Sequence, residues 1–359
     1  MPHRKLKQQV EPEFDSPPAR VLIVDDSVVA RAAIARMIDA TDRFMVSGAV
    51  GSARDALAFL GRASVEIVLL DIEMPGVDGL TALPDLIAAG RGARVLIVSS
   101  NAGVGATATV QALALGAADT LVKPGAGGLA GRFGEALIER LDRLADRGGA
   151  GERPGPIAPV ASALPQIGGF DIVAIGASTG GIHALSALLR AIPPGFETPI
   201  LITQHLPASF MPYFAAQLAL LAGRPCDVAI DLMRVRQGRI IVAPGDAHMR
   251  CGRVAGQIVI RLSTAPAASG CMPSVDPMFA SIADIFGKRA LCVVLSGMGR
   301  DGAIGAREVI AAGSSVVVQD RGSSVVWGMP GAVAEGGGAT AVLAPAAIGE
   351  LIARGGRGR

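Results

Sequence analysis

Three side chains in the C-terminal half of the sequence, Ser178, His205 and Asp301, are of the types that together carry out acyl transfer. A serine hydroxyl attacks a carbonyl once a base takes its proton, and an imidazole serves as that base when an acid holds its tautomer. Ser178 lies in DIVAIGASTGG, residues 171–181. Ile172 to Ile175 read as a strand buried on both faces, Gly176 ends it, and Gly180 and Gly181 open the helix IHALSALLRAI. A serine at such a junction sits near unpaired N–H groups and the positive end of a helix dipole, which suits an oxyanion as well as a phosphate. Gly176, Ser178 and Gly180 also fit the G-x-S-x-G nucleophile elbow, although a helix-capping serine in an ordinary turn fits the same residues. A dinucleotide loop does not fit, because Ser178 stands where its middle glycine belongs.

His205 closes the apolar run PILITQH, and Asp301 follows the strand Ala290 to Leu295, where it begins a helix and a capping role is equally open. If these strands are parallel, their ends share one edge and the three side chains meet. The chain order Ser, His, Asp differs from the Ser, Asp/Glu, His order of α/β-hydrolases, so the elbow does not imply membership of that superfamily. Among the other histidines, His183 lies about 500° around the helix from Ser178 and points away from it. His248 sits in a loop near glycine and proline, where substrate binding and plain solvation are both open, and His3 is near the N-terminus.

A second constellation lies in the N-terminal half. Asp25 and Asp26 follow a first apolar strand, Asp71 a third, Ser99 a fourth, and Lys123, in the dipeptide Lys123-Pro124, a fifth. In an open parallel α/β sheet such ends converge on one crevice. Three converging carboxylates repel one another unless a cation joins them, and an all-oxygen set suits Mg²⁺. Each acid alone reads as a cap or a solvated turn residue; the five positions together read as a site.

Stepping from these residues to the elements that carry them, the sequence divides into two α/β domains. Its 359 residues are 50% hydrophobic but only 3% aromatic, so aliphatic residues and 47 glycines build the cores. Residues 1–19 are polar and proline-bearing, a disordered leader without a signal core. Residues 20–146 alternate strand and helix signals five times, giving a doubly wound five-stranded parallel sheet. Residues 147–169 are rich in glycine, proline and alanine and read as a linker. Residues 170–348 form a second doubly wound, mostly parallel α/β domain, with an irregular strand-rich stretch from Val228 to about Ser263 and a turn-like SSVVWGMPGAV; residues 349–359 read as a frayed tail. The net charge of +2 arises from 33 basic and 31 acidic residues without a dense basic face, which gives nucleic-acid binding no support. Cys226, Cys251, Cys271 and Cys292 form no C-x-x-C pair and read as reduced thiols. No apolar run is long enough to insert in a membrane, so a cytoplasmic protein is expected.

The motifs LIVDDS, LLDIEMPGVDGL, IVSS and VKP make residues 20–146 resemble the response-regulator receiver family. The resemblance implies that Asp71 accepts a phosphoryl group, that Asp26, Asp71 and the Glu73 backbone hold Mg²⁺ with help from Asp25, and that Ser99 and Lys123 contact the phosphoryl group. It also implies a histidine kinase as phosphodonor. The family's switch position, three residues before the lysine and often aromatic, is here Thr120. The motifs IGASTGG, TQHLP, APGDAHM, PSVDPMF, LSGMGRDG and SSVVWGMP make the second domain resemble the chemotaxis protein-glutamate methylesterases. That resemblance implies a Ser178–His205–Asp301 triad, with Thr179 and Met298 bordering the active site and an N–H near Met298 as oxyanion donor. It implies no cofactor for the ester hydrolysis. The implied substrates are glutamate γ-methyl esters on the cytoplasmic helices of chemoreceptors, with methanol released, and receptor glutamines for deamidation. Arg321 and Gly322 depart from the acidic and small residues expected after Gln319-Asp320, a change at the rim. Two other readings remain open: a response regulator whose second domain only binds receptors or a kinase, and a hydrolase of small-molecule esters.

Overall fold

The computed structural model describes residues 17–99, 105–123, 132–145 and 167–356. The expected leader up to residue 16 and most of the expected linker lie outside the described residues, as does Pro124 of the lysine–proline motif.

The first sheet is formed by β1 (Ala19–Val24), β2 (Phe44–Val50), β3 (Ile67–Leu70), β4 (Arg94–Ser99) and β5 (Asp119–Val122), all parallel, in the order β2-β1-β3-β4-β5. The central β3, Ile-Val-Leu-Leu, is buried throughout because helices cover both faces of a parallel sheet. The helices are α1 (Val28–Asp39), α2 (Ala53–Leu60), α3 (Gly79–Gly90), α4 (Gly105–Leu115) and α5 (Arg132–Ala145). Ser27, Ser52 and Asp78 each start a helix by accepting a backbone N–H with the side chain. In α5, Phe133, Leu137, Leu141 and Leu144 form a helical stripe against the sheet.

The second sheet has seven strands: β6 (Ile172–Ala177), β7 (Ile200–Gln204), β8 (Cys226–Val228), β9 (Ile240–Val242), β12 (Ala290–Val294), β13 (Ser315–Gln319) and β14 (Ala341–Leu343). Their order is β14-β13-β12-β6-β7-β9-β8, parallel throughout. The chain enters at β6, builds outward through β7, and returns to β12 on the other side of β6, so a topological switch point lies between β6 and β12. The irregular stretch contains an antiparallel ribbon, β10 (His248–Val254) with β11 (Gln257–Ser263), separate from the main sheet. The helices are α6 (Gly181–Arg190), α7 (Met211–Ala222), α8 (Val275–Phe286), α9 (Ala303–Ala311), α10 (Gly328–Glu335) and α11 (Pro345–Gly355).

Three sequence expectations change. Gly176 does not end its strand: β6 continues to Ala177, and the glycine is there because a Cβ would stand 2.6 Å from Val275 Cγ1. The turn-like WGMPGAV opens α10. Residues 349–355 of the expected frayed tail belong to α11, which buries Ile348, Leu351 and Ile352 against α6. Gly349 lies against the Leu188 carbonyl, where a side chain has no room, and this glycine masked the helical stripe in the sequence.

Candidate active site and receiver pocket

Ser178, His205 and Asp301 stand just beyond β6, β7 and β12, beside the switch point. Ser178 is fixed through its backbone: its N–H donates to the Ser296 carbonyl at 3.0 Å, and its carbonyl accepts from Gln204 Nε2 at 2.9 Å and from Gly181 N at 2.8 Å. Gly180, at φ 75°, turns the chain into α6. Gly297, next to Met298, packs on the serine so closely that a Cβ there would be 2.8 Å from Ser178 Cβ. Met298 is exposed, whereas Thr179 is buried and lines the same cavity as Ser178 and His205, a space of about 230 Å³.

His205 Nε2 meets Asp301 Oδ2 at 2.8 Å, so Nδ1 is the ring nitrogen not engaged by the carboxylate. Asp301 is 1% exposed and does not cap its own helix, α9. Its oxygens accept from Ser274 Oγ at 2.6 Å, Val275 N at 2.8 Å, Gly302 N at 3.0 Å and, more weakly, Asp276 N at 3.4 Å. Two of these donors are the first N–H groups of α8, so the carboxylate caps a helix remote in sequence. Burial alone would raise its pKa; the bonds from His205 and Ser274 outweigh burial and hold it down at about 2. Beside it, burial foremost pushes Asp276 up. Cys271 brings its sulfur within 4.8 Å of the His205 and Asp301 donor atoms. The hydrogen bonds already on Asp301 make this group an imidazole–carboxylate pair rather than a cation cage.

His248, left open between substrate and solvent by the sequence, is 1% exposed and bonded at both ring nitrogens. Ser274 and Gln204 escaped the sequence reading; Ser274 stands immediately before a legible helix, and Gln204 immediately before His205. His183 points away from Ser178 as the helical period required, and its Nδ1 lies 3.3 Å from the Ala114 carbonyl of the first domain. Burial pushes the Cys226 and Cys251 thiols up to about 12, the behaviour of inert core thiols.

In the first domain, Asp25, Asp26 and Asp71 bring carboxylate oxygens within 4.8 Å of one another, with Asp25 and Asp71 buried and Asp26 exposed. Lys123 Nζ bridges Asp25 Oδ2 at 2.6 Å and Asp71 Oδ2 at 2.8 Å. Glu73 N donates to Asp71 Oδ1 at 3.2 Å. Burial raises the Asp71 pKa against the opposing Lys123 contact. Among the described residues, Ser99 presents a buried hydroxyl without a hydrogen-bond partner. An oxygen-only acidic cluster open to water through Asp26 fits Mg²⁺, and the orphaned hydroxyl fits an added oxyanion.

The start of β5 and helix α5, at the sheet edge opposite the acidic pocket, cover the cavity at Ser178. Gly180 N donates to the Ala118 carbonyl at 3.0 Å, and Thr179 Oγ1 lies 3.5 Å from Asp119 Oδ2. Asp119 is also paired with Arg140 at 2.7 Å. The cavity at Ser178 is therefore walled on one side by Asp119, Arg140 and Arg143, and α4 packs on α6 and α7.

The CheB methylesterase family model matches residues 173–352, and the response regulator receiver domain model matches residues 21–128. A Paramagnetospirillum magneticum protein named protein-glutamate methylesterase/protein-glutamine glutaminase 1 is 40% identical, covering 90% of this chain and 92% of that protein. A Nitrobacter hamburgensis protein named protein-glutamate methylesterase/protein-glutamine glutaminase is 41% identical and covers 91% of each chain. The crystal structure of the Thermotoga maritima CheB methylesterase catalytic domain superposes with a TM-score of 0.50 at 33% identity, covering 52% of this chain and 98% of that one.

Proposed function

Since the chain belongs to the CheB methylesterase family and carries a response-regulator receiver domain, we propose that it is a phosphorylation-activated serine esterase of chemoreceptors. It hydrolyses glutamate γ-methyl esters on receptor cytoplasmic helices to carboxylate and methanol, and by the same attack deamidates receptor glutamines with release of ammonia. The observation that carries this reading is the His205–Asp301 contact at the wall of the cavity that Ser178 lines.

His205, held on Asp301 through Nε2, takes the Ser178 proton at Nδ1 as the hydroxyl oxygen attacks the ester carbonyl. Asp301, an anion throughout the physiological range, stabilises the imidazolium that forms. Backbone N–H groups around the α6 start and near Met298 receive the oxyanion, with Thr179 at the border. Imidazolium returns the proton to the leaving methoxide, and water activated by the same base hydrolyses the acyl-serine. This hydrolysis needs no cofactor. In the receiver, Asp71 accepts the phosphoryl group from a histidine kinase, and Ser99 and Lys123 contact it. Asp25, Asp26, Asp71 and the Glu73 backbone would hold Mg²⁺, which neutralises charge on the transferred group when bound. The work is cytoplasmic, without membrane insertion; among the described residues no helix is long and apolar enough to cross a membrane.

The receiver restrains the esterase. Its Ala118 carbonyl takes the Gly180 N–H, a donor beside the nucleophile, and its β5 and α5 wall off the cavity. Lys123 directly follows β5, so a phosphoryl group that recruits Lys123 pulls on the strand whose start holds the cleft shut. Methanol release from methylated receptor membranes tests the proposal. Release that rises with a small phosphodonor supports it. Receptor binding without release would favour a non-catalytic binding module, and release only from small esters would favour a small-molecule hydrolase.

A further inference from the structure

The carboxylate of Asp301 is aimed by a chain of buried groups that starts at His248, 53 residues before it in the sequence and in a different part of the fold. His248, the first residue of β10, has Nε2 at 2.8 Å from the Ala265 carbonyl and Nδ1 at 2.9 Å from Ser274 N. A carbonyl only accepts and a backbone N–H only donates, so the two partners require a neutral ring with its proton on Nε2. Ser274 is fully buried; its hydroxyl stands 2.6 Å from Asp301 Oδ1 and 3.1 Å from Ser269 Oγ. The carboxylate has no proton to give, so the Ser274 hydroxyl donates to Asp301 and accepts from Ser269. Next in sequence, Val275 N donates to Oδ2, the oxygen that His205 uses.

We infer that His248 and Ser274 are positioning residues of the esterase: His248 anchors the Ser274 backbone, and Ser274 fixes the rotation of the Asp301 carboxylate that holds the catalytic imidazole. This gives the β10–β11 ribbon, which adds nothing to the main sheet, a role in catalysis: it carries the histidine. The inference rests on the proposed triad. A filler role would need only apolar volume at these positions, whereas a ring bonded at both nitrogens and a serine with no exposed surface are polar groups buried in matched pairs.

The test uses the full-length chain with two readouts, methanol release from methylated receptors (kcat and KM) and the rate at which a fluorophosphonate labels Ser178, which bypasses receptor docking. Ser274→Ala and His248→Leu are expected to lower kcat and the labelling rate together by about 10- to 100-fold, the range for one hydrogen bond to a charged group, with KM unchanged. Ser274→Thr keeps the hydroxyl, and His248→Asn keeps an acceptor near the Nδ1 position; both recover most of the loss. Nitrogen NMR of the unmodified protein should show His248 protonated on Nε2 and bare on Nδ1, a readout that needs no variant to fold. A His248 ring protonated on Nδ1, rates for Ser274→Ala within about threefold of the parent, or a defect confined to KM would overturn the inference. Labelling that persists in Ser178→Ala would instead overturn the triad itself, so the two failures are distinguishable.

Discussion

Asp71, at the end of β3, and Asp301, in the loop after β12, are both buried carboxylates, yet their surroundings drive them in opposite directions. Asp301 is met by an imidazole, a hydroxyl and backbone N–H groups, and is locked as an anion. Asp71 has one backbone N–H and a lysine that it shares with Asp25, so burial prevails and its pKa rises. The difference teaches what each is built for. On the proposed function, the fully bonded Asp301 is the fixed charge that orients the base, and the less bonded Asp71 is the phosphoryl acceptor.

The largest effects are expected at the esterase. Ser178→Ala should reduce methanol release more than about 100-fold, and Asp301→Asn should lower kcat by about 10⁴-fold, because an amide cannot hold the imidazole in the same state. His205→Ala should match Ser178→Ala, and His183→Ala should retain most activity. If His183→Ala proves the inactive one, the base has been misassigned. At the receiver, Asp71→Asn should leave hydrolysis at its basal rate while abolishing phosphoryl labelling and the response to phosphodonor. Lys123→Ala should still accept phosphate but lose the rise in rate, since its ammonium links the acceptor to β5. Labelling that survives Asp71→Asn would remove the receiver from this scheme.

A smaller effect is expected from removing the cover. Deleting residues 1–150 frees Gly180 N from Ala118 and opens the cavity wall made by Asp119, Arg140 and Arg143. The isolated domain should then release methanol about 5- to 150-fold faster than the unphosphorylated chain, the span of ordinary intersite coupling. It should be at least as fast as the phosphorylated chain, because complete reversal of a closed population needs about 5.5 kcal/mol. A truncated domain slower than the intact protein would mean that the receiver assists catalysis.

The placement of both candidate sites was legible where a residue lies at a strand end. Asp25, Asp71, Ser178 and His205 each follow an apolar run of strand length, Asp301 follows β12 across a short loop, and parallel order does the rest. What escaped the sequence has physical causes. Ser274 and His248 act on Asp301 from 27 and 53 positions away, through bonds that no local period encodes. Gly349 hides a helix because the space a side chain would fill is taken by α6. Val110 and Leu113 of α4 belong to the buried cluster that also holds Ile182 and Leu185 of α6, and in the sequence they look like any core-facing pair.

The finest test of the comparison is the pH dependence of stability. A folded pKa above the ordinary carboxylate value means that the native state binds the Asp71 proton more tightly than the unfolded chain. The Asp71 contribution is therefore full below the ordinary value and falls away as pH rises through the raised one. Asp301 has the reverse sign: its contribution is present above the ordinary value and is lost as pH falls toward about 2. Asparagine at position 71 removes a buried charge that is poorly compensated, so Asp71→Asn should raise the receiver's melting temperature at pH 7 and lose that advantage toward pH 4. Asn at position 301 forfeits bonds made to an anion, so Asp301→Asn should lower the esterase domain's melting temperature at pH 7, with the deficit narrowing progressively as pH falls from the ordinary carboxylate value toward about 2. Calorimetric melts of the two variants across this range decide the matter. Shifts of the same sign at pH 7 would mean that the two carboxylates are not the opposites their partners make them.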